Sequence, residues 1–394
     1  MLGLWWIAVD ERKGREVIEI SARTVNTILV HAQKLVYTLL SLMPTAYQRD
    51  NLQAMLGLFL QGEGKPLPEY SQLKSPSALS RFLNENRWST RQRIRTVRHQ
   101  VLHHLMSYTA KGRRPWLQVI IDLTTLDKCG KFKAFAHLLH VLNGKRGIHL
   151  LVLYLVVGDF RVPWGFRVWR GKDTPSPAQL ALRLIDTLPK KLTQAFRVII
   201  LADTAFGSVA FLKGVRKRRY AAIIGARYDR KLADGRRVCD LCKRGQQVYL
   251  DGLTFPVTIS WLYLKRDGKL EKRFVLSTRP LKGSTITWWG KRRWAIEGFF
   301  KTCKHRFGLH RFGQGTLLGV YRWLVLSLIA FTLTHWTYLS THPSQLPDWG
   351  ACAHLALQTL LPEVVVSLLL LEVERTRPLL KAFGLELQLT EASA

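Results

Sequence analysis

Acidic residues are what this chain lacks: 27 Asp and Glu stand against 60 Lys and Arg, a formal net charge of +33 over 394 residues. A surface kept soluble by mixed charges needs no such excess. The imbalance calls for a polyanionic partner, with nucleic acid ahead of an anionic membrane or a merely solvated surface. Cysteine is scarce as well. Five scattered residues exclude a disulfide framework and fit a reducing cytoplasm. Cys239 and Cys242, in "CDLC", have the spacing of half a zinc site, but no second CxxC or His pair lies nearby to complete it. Long apolar runs are nearly missing. "YRWLVLSLIAFTLTHWTYL" (321–339) is the one membrane candidate, and Thr334 and His335 interrupt it, so it reads as a buried core helix. The opening "MLGLWWIAVDERKGREV" meets charge at once and offers no small-residue cleavage site, which excludes a signal peptide. No internal repeat is present.

What is present is a globular composition, 47% hydrophobic, with room for two or three domains. The basic excess is uneven. Residues 81–114 carry nine Lys or Arg and one Glu, whereas from Pro343 onward six acidic residues outnumber three basic ones. From Ser21 to about Ala110 apolar residues recur at helical spacing, and "SPSALSRFLNENRW" supplies a helix start ahead of an Arg-rich run. This predicts a helical domain, 21–112, that binds DNA phosphates through Arg91, Arg93, Arg95 and Arg98.

At Trp116 the pattern changes to strands. "WLQVIIDLTTL" closes on Asp122, "GIHLLVLYLVVGDFRV" follows a turn in "GKRG", Ser176–Pro177 starts a helix, and "FRVIILAD" ends on Asp203. Three early strands and then strand–helix–strand predict a mixed α/β sheet with helices on both faces. Residues 228–283 alternate polar and apolar positions around "DG" turns and read as a β-rich insertion. Helix returns at Ser284 and runs to about Phe307, with Gly308 as its cap.

Three carboxylates stand out. Asp122 and Asp203 each end an apolar strand, where the crevice of an open α/β sheet receives ligands. Glu297 lies on the helix "KRRWAIEGFFKTCK" amid cations. At about 100° per residue, Arg293 and Lys304 fall about 40° and 20° to one side of it and Lys301 about 40° to the other, beside the apolar stripe of Ile296, Phe300, Cys303 and Phe307. Pairing of Glu297 with Arg293 or Lys301 explains it as a surface salt bridge of about 0.3–0.5 kcal/mol. Taken together, however, two strand-end Asp and a helix Glu suit a site for two Mg²⁺ ions that stabilise in-line phosphoryl displacement, with Asp127 as a reserve ligand.

These motifs resemble the bacterial insertion-sequence transposases of the DDE type, in the branch whose C-terminal signature is Tyr, two residues, Arg, three residues, Glu, six residues, Lys. Arg293, Glu297 and Lys304 stand at that spacing, while the Tyr position falls on Gly290, just after Trp288 and Trp289. "IIDLTTLDK" and "LADTAFGS" resemble the two Asp motifs, with Thr204 where an Arg is common, and the β-rich insertion sits where that branch carries one. The likeness spans roughly residues 25–340. It implies a ribonuclease-H-like core of 113–227 and 284–312, the insertion 228–283, a helical C-terminal region 313–394 and an unassigned leader 1–20. It implies Asp122, Asp203 and Glu297 as catalytic metal ligands, two Mg²⁺ with Mn²⁺ as substitute, and end phosphates on Arg293 and Lys304. Lys301, Arg292 and Trp289 would join them on DNA. The implied activity is binding of terminal inverted repeats, hydrolysis at the transposon ends and joining of the 3′-hydroxyls to target DNA. The enzyme would act as a dimer on double-stranded DNA, away from membranes, in a prokaryotic nucleoid. The alternatives are a silent transposon-derived DNA binder and a metal-dependent nuclease on the same fold.

Overall fold

The computed structural model describes residues 29–61, 64–109, 114–128, 133–266, 269–341 and 347–385; the leader 1–20 lies outside them. They form two compact units, one of residues up to Arg93 together with those from His305 onward, the other of Ile94–Lys304. The chain starts with helices α1 (29–41), α2 (Ala46–Gln61), α3 (Pro76–Asn84) and α4 (Thr90–Ser107), and the unit boundary falls inside α4. Ser75 caps α3 by accepting the Ala78 N–H, with Pro76 at the first helical position.

The second unit is built on one mixed sheet. Strands β1 (Trp116–Asp127), β2 (His140–Leu142), β3 (Lys145–Val157) and β4 (Phe160–Trp169) come first. Helices α5 (Pro177–Ile185) and α6 (Lys190–Ala195) lead to β5 (Arg197–Ala202), α7 (Val209–Lys217) and β6 (Ala221–Ala226). Then come β7 (Gln246–Val248), β8 (Val257–Arg266) and β9 (Lys269–Ser277). The order is β4-β3-β1-β5-β6-β9-β8-β7, with the short β2 also on β3. β1 and β3 pair antiparallel, as do β3 and β4, while β1, β5 and β6 run parallel. Continuous apolar runs such as "IHLLVLYLVV" give strands buried on both faces.

Three local readings change. The β2–β3 turn is Asn143–Gly144, both at positive φ, two positions earlier than the centre of "GKRG" suggests. This is the Asn-Gly preference of a tight two-residue hairpin. The β-rich stretch forms no sheet of its own, because β9 pairs antiparallel with β6 and so extends the core sheet. The helix expected from Ser284 to Phe307 is two, α8 (Gly283–Arg292) and α9 (Ala295–His305). Between them the Trp294, Ile296 and Glu297 amides bond three residues back, a tightened turn that breaks the helix at Arg293.

The first unit closes with α10 (Leu317–Thr341), α11 (Trp349–Leu360) and α12 (Pro362–Ala382). Helix α10 is long and apolar enough to cross a bilayer, yet 83% of its most apolar window is buried inside the protein. α2, α3 and α11 pack on it. Charge sits in that core as well. Arg322, 1% exposed, donates to the carbonyls of Phe82, Leu83, Asn86 and Trp88, and its guanidinium lies 4.0 Å from the Trp88 ring centre. The Phe82 and Leu83 carbonyls belong to the last turn of α3 and those of Asn86 and Trp88 to the segment just after it, a cluster of acceptors at a helix C-terminus that favours a cation. Burial lowers the Arg322 pKa to about 10, leaving it charged at neutral pH.

Arg322→Met keeps the bulk and removes the donors. It is expected to cost about 3 kcal/mol or more in denaturant unfolding, because several buried carbonyls lose charge-assisted partners. Arg322→Lys should rescue little, since an ammonium cannot span the planar fork. Wild-type stability in the Met variant would remove this residue from the core's account.

Candidate active site

The parallel pairing of β1 with β5 sets Ile121 opposite Ala202. The next residues, Asp122 and Asp203, therefore stand at one level of neighbouring strands, about 5 Å apart along the hydrogen-bonding direction. β5 ends there, whereas β1 runs on to Asp127 paired with β3 alone. Asp122 is thus a mid-strand residue whose flank opens where its neighbour leaves the sheet. The crevice expected at a strand end exists, made by β5 rather than by β1.

Asp203 leaves its strand into a 3-10 turn, Thr204–Phe206, and its carboxylate accepts the Ala205 N–H at 2.9 Å. Gly225 of β6 makes room for that turn. A Cβ there would lie 2.6 Å from Thr204 Oγ1 and 2.8 Å from Thr204 N. An isolated glycine in a strand is the signal of such a close approach, and the sequence reading passed over it.

Arg293, at the joint between α8 and α9, reaches back to the sheet. It donates through Nη1 to Asp122 Oδ2 and through Nη2 to Glu297 Oε1, each at 2.8 Å. One guanidinium therefore joins the Asp of β1 to the Glu of α9, with the arginine and Asp122 side chains only 17% and 13% exposed. Glu297 is 57% exposed, so its share is the helix-surface pair that the spacing also allows. Burial, and then the charge of Asp203, push the Asp122 carboxyl up to about 7. Burial also raises Asp203, against the Ala205 N–H and Arg293, which favour its ionised form.

Asp203, Arg293 and Glu297 line one wall of a cavity of about 790 Å³. Lys265, Glu271, Lys272, Arg273 and Phe274 of β8 and β9 line the cavity as well, as do Arg227 and Trp294. The cations of β8 and β9 were not singled out from sequence; their signal was the alternation of cations with apolar residues along the β-rich stretch.

The remaining expected site residues go elsewhere. Lys304 donates to the Thr125 carbonyl at 2.8 Å, clipping α9 to β1, and burial lowers its pKa against the nearby Asp127 charge. Asp127 is exposed five residues beyond Asp122 on the same strand. Lys301 is exposed on α9. Arg292 lies 3.9 Å from the Trp288 ring centre, and Trp289 is buried against Trp116 at the opposite end of β1. Arg93, 2% exposed, bonds the carbonyls of Leu42 and Ser89. Arg98 donates to the Trp164 carbonyl at 2.9 Å. Arg91 and Arg95 are exposed.

The donor chemistry fits a hard divalent cation: carboxylate oxygens crowded enough that burial and mutual charge hold one of them neutral to about pH 7. As the side chains stand, no group of three His, Cys, Asp or Glu among the described residues is close enough to hold an ion. Arg293 takes those oxygens instead.

Asp122 carries a pH dependence. An unfolded Asp loses its proton near 3.8 and the folded Asp122 near 7, so between these values the folded protein binds more protons than the unfolded. The stability contributed by neutral Asp122 is complete below about pH 4 and is lost as the pH rises through about 7. In EDTA, Asp122→Asn is expected to be more stable than wild type at pH 8, by on the order of 1–3 kcal/mol, and equal to it near pH 4. Denaturant melts at the two pH values decide it, and a difference that does not change with pH goes against the assignment.

The family profile described as the transposase DDE domain matches residues 117–333. A sequence comparison with curated proteins gives no match. Among solved structures the chain is similar to one described as the cryo-EM structure of a piggyBac transposase synaptic complex with hairpin DNA. That alignment has 14% identity over 85% of this chain and 77% of the other, with a TM-score of 0.46. The matched span takes in all three carboxylates and more than half of the residues, and on that match the protein belongs to the DDE transposase family.

Proposed function

We propose that this transposase binds the terminal inverted repeats of its element, hydrolyses a phosphodiester bond at each end and joins the freed 3′-hydroxyls to target DNA. Two copies would act in the DNA complex, one at each end, in the nucleoid of a prokaryotic cell. The observation that carries the reading is the parallel register of β1 and β5, which sets Asp122 beside Asp203 while Arg293 ties Glu297 to Asp122. The sheet supports a ribonuclease-H-like core, with three antiparallel strands continued by two parallel ones.

Asp122, Asp203 and Glu297 would hold divalent metal, magnesium with manganese as substitute, which when bound stabilises the attacking and leaving oxygens of phosphoryl transfer. Arg293 bridges Asp122 and Glu297 before DNA arrives. A backbone phosphate offers its fork a bidentate partner of equal quality, so the arginine exchanges carboxylates for phosphate as the strand enters. Lys265, Lys272 and Arg273 on the insertion wall hold the neighbouring phosphates, and Trp294 gives the cavity an apolar face. Lys304 fixes the distance between α9 and β1, so that Glu297 stays at the level of Asp122.

Glu297→Gln preserves shape and removes the charge. Strand cleavage of an end duplex in Mg²⁺ is expected to fall by several orders of magnitude, since metal stabilisation is worth several kcal/mol and each 1.36 kcal/mol is tenfold. Binding of the same duplex should persist. Near-wild-type cleavage would return Glu297 to a helix-surface pair with Arg293.

Arg91 and Arg95 are assigned to duplex phosphates. Replacing both with Ala should reduce the slope of log affinity against log salt by about 2. Arg93→Ala should instead lower the unfolding midpoint, because that side chain is buried. An unchanged salt slope in the double variant removes α4 from the duplex contact.

A further inference from the structure

At the end of the sheet away from the carboxylates, Trp116 opens β1 and Arg197 opens β5, paired in register. The site lies six residues farther along each strand, roughly 20 Å away. Helix α8 lays two more tryptophans against this end. Trp116 and Trp289 have ring centres 5.5 Å apart, and Trp289 and Trp288 4.6 Å, so the three rings form one row. An arginine stands at each end of the row, Arg197 at 5.9 Å from the Trp116 ring centre and Arg292 at 3.9 Å from that of Trp288.

Trp289 is buried at the centre of the row, but Trp116 is 37% and Trp288 49% exposed. Among the described residues these are the two exposed tryptophans. Single exposed apolar residues need no explanation, whereas adjoining ones flanked by cations mark a contact surface. Trp and Arg also favour protein interfaces. A second copy, however, would bring Arg197 and Arg292 against like charge, and the five residues of the row include no carboxylate. A polyanion with flat apolar groups meets both demands.

We infer that this row is a second nucleic-acid contact, separate from the carboxylate site, which stacks unpaired bases on Trp116 and Trp288 while Arg197 and Arg292 take the flanking phosphates. Base–aromatic stacking tolerates any sequence, because every base has a π face. A strand unpaired during end processing or target joining is the ligand class that such a row accepts. The inference does not rest on the metal-ligand reading.

The test uses the full chain and two probes of equal length and phosphate count, an oligothymidylate and an abasic phosphodiester strand. The abasic strand reports the electrostatic background of a chain with a net charge of +33. Wild type should bind the thymidylate about tenfold or more tightly than the abasic strand, the effect expected from stacking one or two bases. Trp288→Ala, and more fully Trp116→Ala with Trp288→Ala, should abolish that preference while abasic binding holds. Trp288→Phe should keep most of it. Glu297→Gln, which should lose cleavage, should keep the wild-type preference for thymidylate over the abasic strand, which separates a failure here from a failure at the carboxylates. Equal wild-type affinity for the two probes overturns the inference, as does a preference retained by a double variant with a native circular-dichroism melt. Loss of self-association in sedimentation, with the base preference unmoved, would overturn it in favour of a protein interface.

Discussion

Two carboxylates fixed at one level of neighbouring strands repel each other, and the candidate site is organised around relieving that repulsion. The register of β1 and β5 allows Asp122 and Asp203 no escape, because shifting either strand by one residue would exchange the side chains of its two faces, both of which are packed. Relief must come from outside the sheet, as a proton on Asp122 or as a cation. The protein supplies both, a carboxyl held neutral to about pH 7 and the Arg293 guanidinium delivered from the α8–α9 joint. This gives the break in that helix a purpose. A continuous helix would present Arg293 along one face, whereas the tightened turn carries its backbone at the corner where the chain passes the open flank of β1.

Much of this was legible in the sequence because the signals are local. Apolar runs closing on Asp122 and Asp203, and the Arg293–Glu297–Lys304 spacing, each lie within a dozen residues. What was not legible depends on pairing across the chain. That β1 outruns β5, making Asp122 a mid-strand residue, follows from strand lengths that no window displays. Arg93 and Arg98 belong to the Arg-rich run expected on DNA phosphates, yet carbonyls of Leu42 and Trp164 claim them. Charge type can be read from sequence, whereas the acceptor that captures the charge cannot. The burial of Trp289 is equally invisible in a local window, since its neighbour in space is Trp116, 173 positions earlier. The cations of β8 and β9 face the cavity only because β9 joins β6 and prolongs the core sheet past the site.

The helical unit obeys a different constraint. Its core is apolar around α10, and Arg322 inserts one charge to finish the end of α3. A buried guanidinium is stable there because four carbonyls and an aromatic face replace its water.

That unit is assembled from two stretches far apart in the chain, and synthesis delivers them at different times. Helices α2 and α3 leave the ribosome early, but α10, which covers their apolar faces, follows more than 230 residues later. At about 5–20 residues per second the early helices wait for tens of seconds without their partner. The sheet unit, contiguous from Ile94 to Lys304, can complete itself in the interval. The nascent transposase therefore passes through a state with its sheet formed and its helical surface uncovered, a state open to chaperone capture until the last stretch arrives.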